Sequence, residues 1–228
     1  MLNTFQGKHS ETSEKDSTNG CTVIAAMIVS THLSQPTFSP ISNSTIESVI
    51  DIDAPPILRK VRIKLGLKGD ALIVPSDVND FLVEKKMLSQ DQFVAVCGGN
   101  ILDETHVEKL WTLLKNGSEN HCSSKEKKKV AATFFFHEHV ISLLKSYTRE
   151  GNLRYELVDS MPRQIKSENA ATAIRIRCFE EIFLKVLSWY ALSKFSDANC
   201  DFIDRYKWDE TNCEFDPRVF QAFVWSES

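Results

Sequence analysis

Apolar residues recur at helical spacing through most of the first half of the chain. Residues 21–33, with the sequence CTVIAAMIVSTHL, are apolar on every face, and a segment of this length and pattern predicts a buried helix. The first half is therefore expected to be mainly helical. Capping residues and apolar stripes predict four further helices: from Ser44 to the residue before Pro55, from Pro56 to Leu65 with Gly66 as its cap, over residues 77–88 with Ser76 as its cap, and from Asp103 or Thr105 to Leu114.

Short apolar and β-branched runs separated by turn residues take over after residue 129. They predict strands over residues 130–136, 139–147, 153–159, 173–178 and 219–225, with one amphipathic helix from Glu180 to Phe195. The turn at residues 150–152 joins the second and third of these runs into an antiparallel hairpin. In the first half, a strand is predicted from Phe93 to Val96, followed by a tight turn at Gly98 and Gly99.

A chain in which helices come first and antiparallel strands follow is typical of an α+β fold. With 228 residues, the chain is long enough for one domain that buries its own core. We therefore expect a single domain over residues 1–228, with a helical part at about 21–115 and a sheet-rich part at about 130–228.

Charge and cysteine content narrow the classes of function. The net charge of −4 gives no electrostatic reason to expect a nucleic-acid partner, and the run from Lys125 to Lys129 is expected to be a solvated loop. No apolar stretch is long enough to cross a bilayer and the first twenty residues are mostly polar, so a cytoplasmic or nuclear protein without a membrane anchor is expected. The six cysteines have no paired spacing, which predicts free thiols, no metal site and no cofactor. His32, His106 and His121 are expected at the surface or at caps.

Cys21 stands at the start of the predicted buried helix, directly after the turn residues Thr18, Asn19 and Gly20. The helix dipole and the free N–H groups of the first turn favour a thiolate there, so the pKa of the thiol falls. Gly20 would let the backbone turn and would leave room for a substrate carbonyl. A cysteine beside an apolar helix is more commonly a small buried apolar residue, so this motif alone indicates a nucleophile only weakly.

A histidine and an aspartate follow on the two strands of the predicted hairpin. His139 opens one strand and Asp159 ends the next, so the hairpin is expected to bring them side by side. His139 would take the proton of the thiol, and Asp159 would fix the tautomer of the imidazole and stabilise the imidazolium. By strand alternation His137 is expected on the same face as His139, which makes it the alternative base.

The segments NGCTVIAAMIV, HVISLL and YELVDS resemble the cysteine, histidine and asparagine or aspartate segments of the papain-like cysteine-peptidase superfamily. Within it, the Asn-Gly before the cysteine is similar to MINDY-type deubiquitinases, and the strand ending in Asp-Ser is similar to ubiquitin-like proteases. The resemblance implies a papain-like fold, with a central N-terminal helix packed on a mostly antiparallel sheet. It also implies a thiol hydrolase for peptide or isopeptide bonds, with Cys21, His139 and Asp159 as the triad. The implied partner is a protein or peptide substrate, such as ubiquitin or a ubiquitin-like modifier.

The sequence departs from that superfamily at the oxyanion hole, where a glutamine usually precedes the cysteine by a few residues. Gln6 is the only upstream glutamine, and a long polar loop separates it from Cys21, whereas Asn19 lies nearer. Other functions stay open: a papain-like scaffold that has lost catalysis and serves as a binding module, or transglutaminase-like acyl transfer by the same three residues. A third alternative is a purely structural interaction domain. In that case Cys21, His139 and Asp159 are not expected to lie close together.

Overall fold

The computed structural model describes residues 2–11, 16–68, 71–118, 127–137, 139–164 and 171–227. Its helices are α1 (Cys21–Ser34), α2 (Asn43–Ser48), α3 (Ala54–Leu65), α4 (Pro75–Glu84), α5 (Glu104–Asn116), α6 (Phe183–Leu192) and α7 (Asp197–Arg205). Its strands are β1 (Phe93–Asn100), β2 (Val130–Phe136), β3 (His139–Tyr147), β4 (Leu153–Gln164), β5 (Ala171–Cys178) and β6 (Val219–Ser226). A π-helical turn (Val49–Asp53) joins α2 to α3, and 3₁₀ turns precede β1 and α6.

The strands of the described residues form one antiparallel sheet in the order β1-β6-β2-β3-β4-β5. Helix α1 packs on one face of this sheet, with α3 and α4 against its other sides, and α5 and α6 cover the opposite face. The chain is therefore α+β with a mostly helical first part, which confirms the fold class predicted from the order of the elements.

Helix α1 is buried along nearly its whole length. Twelve of its fourteen residues are buried, and they include both polar and apolar side chains. Because the helix has no polar face to offer to water, it can be stable only when it is enclosed by other elements. The prediction of a buried helix at this position is confirmed, and the helix fixes the position of Cys21 relative to the sheet.

The hairpin of β3 and β4 is also confirmed. The N–H of Thr148 donates to the carbonyl of Asn152 at 2.9 Å, which closes the loop between the two strands. Gly151 has a φ of 80°, a left-handed conformation that glycine adopts without strain. Within the hairpin Ser142 pairs with Val158, so the start of β3 lies beside the far end of β4.

Two helices have prolines in their first turn, and the boundaries of both differ from the predicted ones. The helix expected to stop before Pro55 instead continues through it, because Pro55 and Pro56 lie in the first turn of α3, where an N–H has no intrahelical acceptor. The π-helical turn keeps the chain helical from α2 into α3. Likewise α4 begins at Pro75, so Ser76 lies inside the helix and does not cap it.

The prediction of a tight turn at Gly98 and Gly99 is wrong, because strand β1 runs through both residues to Asn100. A Cβ on Gly98 would lie 2.8 Å from the carbonyl oxygen of Phe220 on the paired strand. A Cβ on Gly99 would lie 2.7 Å from the ring of His106, which packs half-buried against this strand. Close packing against neighbouring segments therefore leaves no room for a Cβ at either glycine.

Lys129 is fully buried, which corrects the prediction of a solvated loop over the whole run from Lys125 to Lys129; residues 125 and 126 lie outside the described residues. Its Nζ donates to the carbonyl oxygens of His32 at 2.9 Å, Gln35 at 2.9 Å and Ser39 at 3.2 Å. The last carbonyls of a helix have no intrahelical donor, and a cation is favoured there by the helix dipole. Lys129 thus caps the buried end of α1. Burial lowers the pKa of its amine to about 8 despite the nearby charge of Glu227.

His32 is another buried residue that the sequence placed at the surface. Its Nε2 lies 3.0 Å from the carbonyl oxygen of Lys145 and donates to it. Burial, together with the charge of Lys129, lowers the pKa of the imidazole to about 3, so the ring is neutral. Lys145 in turn donates to the carbonyl oxygen of Lys115 at 2.5 Å, in the last turn of α5. Two buried lysines therefore cap two helices. His121, the third histidine of that prediction, lies outside the described residues.

Within the described residues, every helix is too short or too polar to cross a membrane. No group of three or more potential metal-ligating side chains is found in that part of the chain.

Lys129→Met is expected to destabilise the fold by about 1–3 kcal/mol, because it leaves three carbonyl oxygens at the end of α1 without their donor. The matched control is Lys127→Met, since Lys127 is exposed: its ammonium donates to one surface carbonyl and lies 5.8 Å from the ring centroids of Phe38 and Tyr147. Its expected effect is within about 0.5 kcal/mol. Chemical denaturation of both variants measures the difference, and equal stabilities would contradict the capping role.

Candidate active site

Cys21 is the first residue of α1 and is 6% exposed. The turn before it is tight: Asn19 has a φ of 53°, and the N–H of Gly20 donates to the carbonyl of Ser17 at 3.0 Å. A Cβ on Gly20 would lie 2.8 Å from that carbonyl oxygen and 2.9 Å from the Leu58 side chain. Internal packing therefore requires glycine at position 20.

The hairpin brings His139 and Asp159 into direct contact. His139 is the first residue of β3, and its Nε2 lies 2.8 Å from Oδ1 of Asp159 on β4. Both residues are buried, Asp159 completely. Because Nε2 is engaged by the carboxylate, Nδ1 is the ring nitrogen left to face the sulfur of Cys21.

Cys21 and His139 interact through a hydrogen bond and through their charges. Burial by itself raises the pKa of the Cys21 thiol, but the hydrogen bond and positive charge of His139, helped by the N–H of Val140, lower it below its ordinary value of 9.0. Burial likewise disfavours the charged form of His139, yet Asp159 and Cys21 raise its pKa to about 9. The two shifts favour a thiolate–imidazolium pair at neutral pH.

Asp159 is held by more donors than His139 alone. The backbone N–H of Met161 donates to its Oδ1 at 2.9 Å. The hydroxyl of Tyr190 and the ammonium of Lys194, at 2.7 Å, both donate to its Oδ2. Burial opposes ionisation, but the hydrogen bonds and charges of His139 and Lys194 keep the pKa of Asp159 well below its ordinary value. The carboxylate is therefore ionised and fixed in orientation.

Sequence reasoning missed two members of this network, Tyr190 of α6 and Lys194 of the turn that follows it. Tyr190 belongs to the apolar stripe that predicts the helix, and a buried tyrosine does need a partner for its hydroxyl. That signal shows that a partner exists, but only the packing of α6 on the sheet identifies it as Asp159.

His137 lies in the turn between β2 and β3 with a φ of 47°, so the prediction that it shares a strand face with His139 is wrong. Its ring packs edge-on against Phe195, with the ring centroids 6.1 Å apart. Of the two histidines, the structure brings His139, and not His137, into contact with Cys21 and Asp159.

Gln6 is buried and contacts Ser160, the residue that follows Asp159, although a long loop separates it from Cys21 in sequence. Its N–H donates to the carbonyl of Ser160 at 2.7 Å, and its Oε1 accepts from the hydroxyl of Ser160 at 3.3 Å. The N–H of the next residue, Gly7, donates to Oγ of Ser17 at 3.0 Å, which holds the start of the loop against the turn before Cys21. The side chain of Gln6 is thus anchored to the residue after Asp159.

An irregularity in the sheet makes room for the segment that carries Gln6. The register of β4 and β5 shifts between Asp159 and Arg163. Residues 2–6 lie in that gap: the N–H of Ala173 on β5 donates to the carbonyl of Thr4 at 2.8 Å, while the N–H of Gln6 reaches β4. Residues 2–6 form no strand of their own, but the segment bridges two strands of the sheet.

The other described cysteines differ from Cys21 in their environment. The five described cysteines are free thiols, and Cys122 lies outside the described residues. Burial raises the pKa of Cys97 and of Cys178 to about 11. Cys200 is exposed on α7. Among the buried thiols of the described residues, Cys21 is the one whose pKa falls.

No protein-family model and no curated protein matches the chain. A solved structure with some likeness to it is the ubiquitin-specific protease encoded by murine cytomegalovirus tegument protein M48, in complex with a ubiquitin-based suicide substrate. The two are 10% identical, and the match covers 99% of this chain and 83% of that chain with a TM-score of 0.47. At that score the likeness carries no argument, so the functional case rests on the residues of this chain.

Alkylation of Cys21 by iodoacetamide is expected to proceed at pH values well below the ordinary thiol pKa. The rate should fall on acidification through the lowered pKa, because the thiolate is then protonated. In His139→Ala the midpoint should move above 9.0, since burial then acts without the opposing imidazolium. Rates for Cys21 are measured by mass spectrometry of its peptide, which separates it from Cys200.

His137→Ala is the matched control for that substitution, because it removes the same imidazole two residues away and outside the hydrogen-bonded chain. Its alkylation profile should coincide with that of the unmodified protein. A His139→Ala profile equal to the control would show that His139 has no influence on the thiol.

Proposed function

We propose that this protein is a papain-like thiol hydrolase that cleaves a peptide or isopeptide bond. The observation that supports this function best is the continuous chain of contacts from Cys21 through His139 to Asp159, at the N-terminus of a buried helix. A structural interaction domain requires no such chain. A buried structural cysteine would have a raised thiol pKa, as at Cys97, whereas that of Cys21 is lowered.

The proposed reaction begins with the thiolate of Cys21, which attacks the carbonyl carbon of the scissile bond. The C–N bond then breaks as the imidazolium of His139 gives its proton to the leaving amine, which yields a thioester. Water attacks the thioester while His139 takes a proton from it, and the released sulfur regains its charge as the carboxyl product leaves. Asp159 keeps Nδ1 of the imidazole directed at the sulfur and stabilises the imidazolium throughout.

The oxyanion of the tetrahedral intermediate needs hydrogen-bond donors. The N–H groups at the start of α1 have no intrahelical acceptor and lie beside Cys21. We assign the side-chain donor to Gln6, whose Oε1 is engaged by Ser160, so that its amide nitrogen is the end available to a substrate. Asn19 is the nearer residue in sequence, but its left-handed backbone serves the turn that positions Cys21.

The substrate class proposed is ubiquitin or a ubiquitin-like modifier joined to another protein. This part of the proposal rests on the resemblance of the segments around Cys21, His139 and Asp159 to deubiquitinases and ubiquitin-like proteases. The same three residues are able to pass the acyl group to an amine in place of water. Product analysis after reaction with a peptide substrate and an added amine distinguishes hydrolysis from acyl transfer.

Gln6→Ala is expected to lower kcat by about 10²–10³-fold with little change in KM, because it removes a donor that acts only on the oxyanion. Asn19→Gly is the contrasting variant, since glycine retains the left-handed backbone and removes only the side chain. Its kcat should stay within a few-fold of the unmodified enzyme. Steady-state kinetics on a fluorogenic peptide measures both, and the opposite ranking would reassign the donor to Asn19.

A ubiquitin bearing a C-terminal electrophile is expected to form a covalent adduct with the protein at Cys21. The adduct shows as an increase of one ubiquitin in mass, located by peptide mapping. Cys21→Ala should form none, and Cys178→Ala, which removes a buried thiol with a raised pKa, should react normally. An adduct of equal yield in Cys21→Ala, or no adduct in the unmodified protein, would exclude the ubiquitin version. Cleavage of generic peptides tests the hydrolase separately.

A further inference from the structure

Tyr190 on helix α6 and Lys194 in the turn that follows α6 both hydrogen-bond to Oδ2 of Asp159. The two oxygens of this carboxylate have separate partners. Oδ1 accepts from His139 and from the N–H of Met161, whereas Oδ2 accepts from the hydroxyl of Tyr190 and from the ammonium of Lys194. The carboxylate is therefore bound on both sides.

Tyr190 lies in the last turn of α6, and Lys194 lies in the turn just beyond the end of that helix. Tyr190 and Lys194 are four residues apart, and the ammonium of Lys194 lies 5.1 Å from the centroid of the Tyr190 ring. Tyr190 and Asp159 are completely buried, and the side chain of Lys194 is 18% exposed. An ion pair between groups this well buried is strongly oriented and only weakly screened by salt.

We infer that Tyr190 and Lys194 are positioning residues for the proposed reaction: they orient Asp159 toward His139 and set how strongly its charge stabilises the imidazolium. The inference rests on the proposed function of Cys21, His139 and Asp159. It assigns a role in the active site to α6, a helix that carries none of the three proposed catalytic side chains.

The orienting part of this role follows from the number of donors. A carboxylate can rotate about its Cβ–Cγ bond and exchange its oxygens. With Oδ2 held by Tyr190 of α6 and by Lys194 of the turn after it, such rotation would break both bonds, so Oδ1 stays directed at Nε2 of His139. The hydroxyl of Tyr190 contributes to this orientation without adding charge.

The charge-setting part follows from Coulomb's law. The groups that face this carboxylate and carry or exchange charge are His139 from β3, with Cys21 of α1 behind it, Tyr190 from α6 and Lys194 from the turn after α6. Asp159 is thus shared between two cations, and the positive charge of Lys194 opposes the formation of imidazolium at His139. Lys194 therefore prevents the imidazolium from becoming too weak an acid to protonate the leaving amine.

The test compares Lys194→Met, which removes the charge but keeps most of the aliphatic stem, with Lys194→Arg, which retains the charge. The titration of His139 is followed by NMR of its imidazole nitrogens. In Lys194→Met its pKa should rise by roughly 0.5–1 unit, because Asp159 then has a single cationic partner. In Lys194→Arg it should stay within a few tenths of a unit. Lys185→Met, which removes an exposed charge from helix α6, should leave the titration of His139 unchanged.

Tyr190→Phe tests the orienting part. We expect kcat on a fluorogenic peptide to fall by roughly tenfold while KM is nearly constant, since the loss concerns only the charge-separated steps. Thermal unfolding of each variant checks that the fold is intact. A His139 pKa that is unchanged or lowered in Lys194→Met overturns the charge-setting role, and unchanged kcat in Tyr190→Phe overturns the orienting role.

The outcomes separate this inference from the proposed function. The hydrolase proposal is decided in the unmodified protein, by the presence or absence of peptide cleavage that depends on Cys21. The network inference is decided by the His139 titration, which needs no substrate. If the protein cleaves no peptide but the pKa of His139 rises as expected in Lys194→Met, the network inference stands and the hydrolase proposal fails.

Discussion

The structure depends on the burial of α1 along nearly its whole length. A helix without a polar face has to be surrounded, and the sheet on one side together with α3 and α4 on the others provides that enclosure. The free backbone groups at the two ends of the helix need partners from outside it. At the C-terminal end Lys129 supplies three hydrogen bonds. At the N-terminal end the free N–H groups and the dipole surround Cys21, where they favour negative charge.

Electrostatics explains how charged groups persist in this interior. Asp159 is completely buried, and an isolated carboxylate there would be neutral. Four donors, which include two cations and come from β3, β4, α6 and the turn after α6, keep it ionised. That ionised group in turn raises the pKa of His139 to about 9 against the effect of burial, and the imidazolium lowers the pKa of Cys21. Each charge in the series is stabilised by the next one.

The fold class and most elements could be predicted because local patterns dictate them. The all-round apolar run of α1, the cap at Asp103 and the hairpin of β3 and β4 depend on near neighbours in sequence. The wrong predictions share a different property. Gly98 and Gly99 stay in a strand because of a carbonyl and a ring from distant segments, and Lys129 is buried because α1 ends beside it. No local pattern contains those partners.

For the candidate site, local patterns predict a cysteine before a buried helix, a histidine that opens a strand and an aspartate on the next strand, because periodicity and turn residues set these features. The packed fold adds three things that no local pattern contains: the contact of His139, and not His137, with Cys21, the bonds between Gln6 and Ser160, and the bonds from Tyr190 and Lys194 to Asp159. Such bonds join distant segments, so they depend on how the helices pack on the sheet, which near neighbours in sequence do not specify.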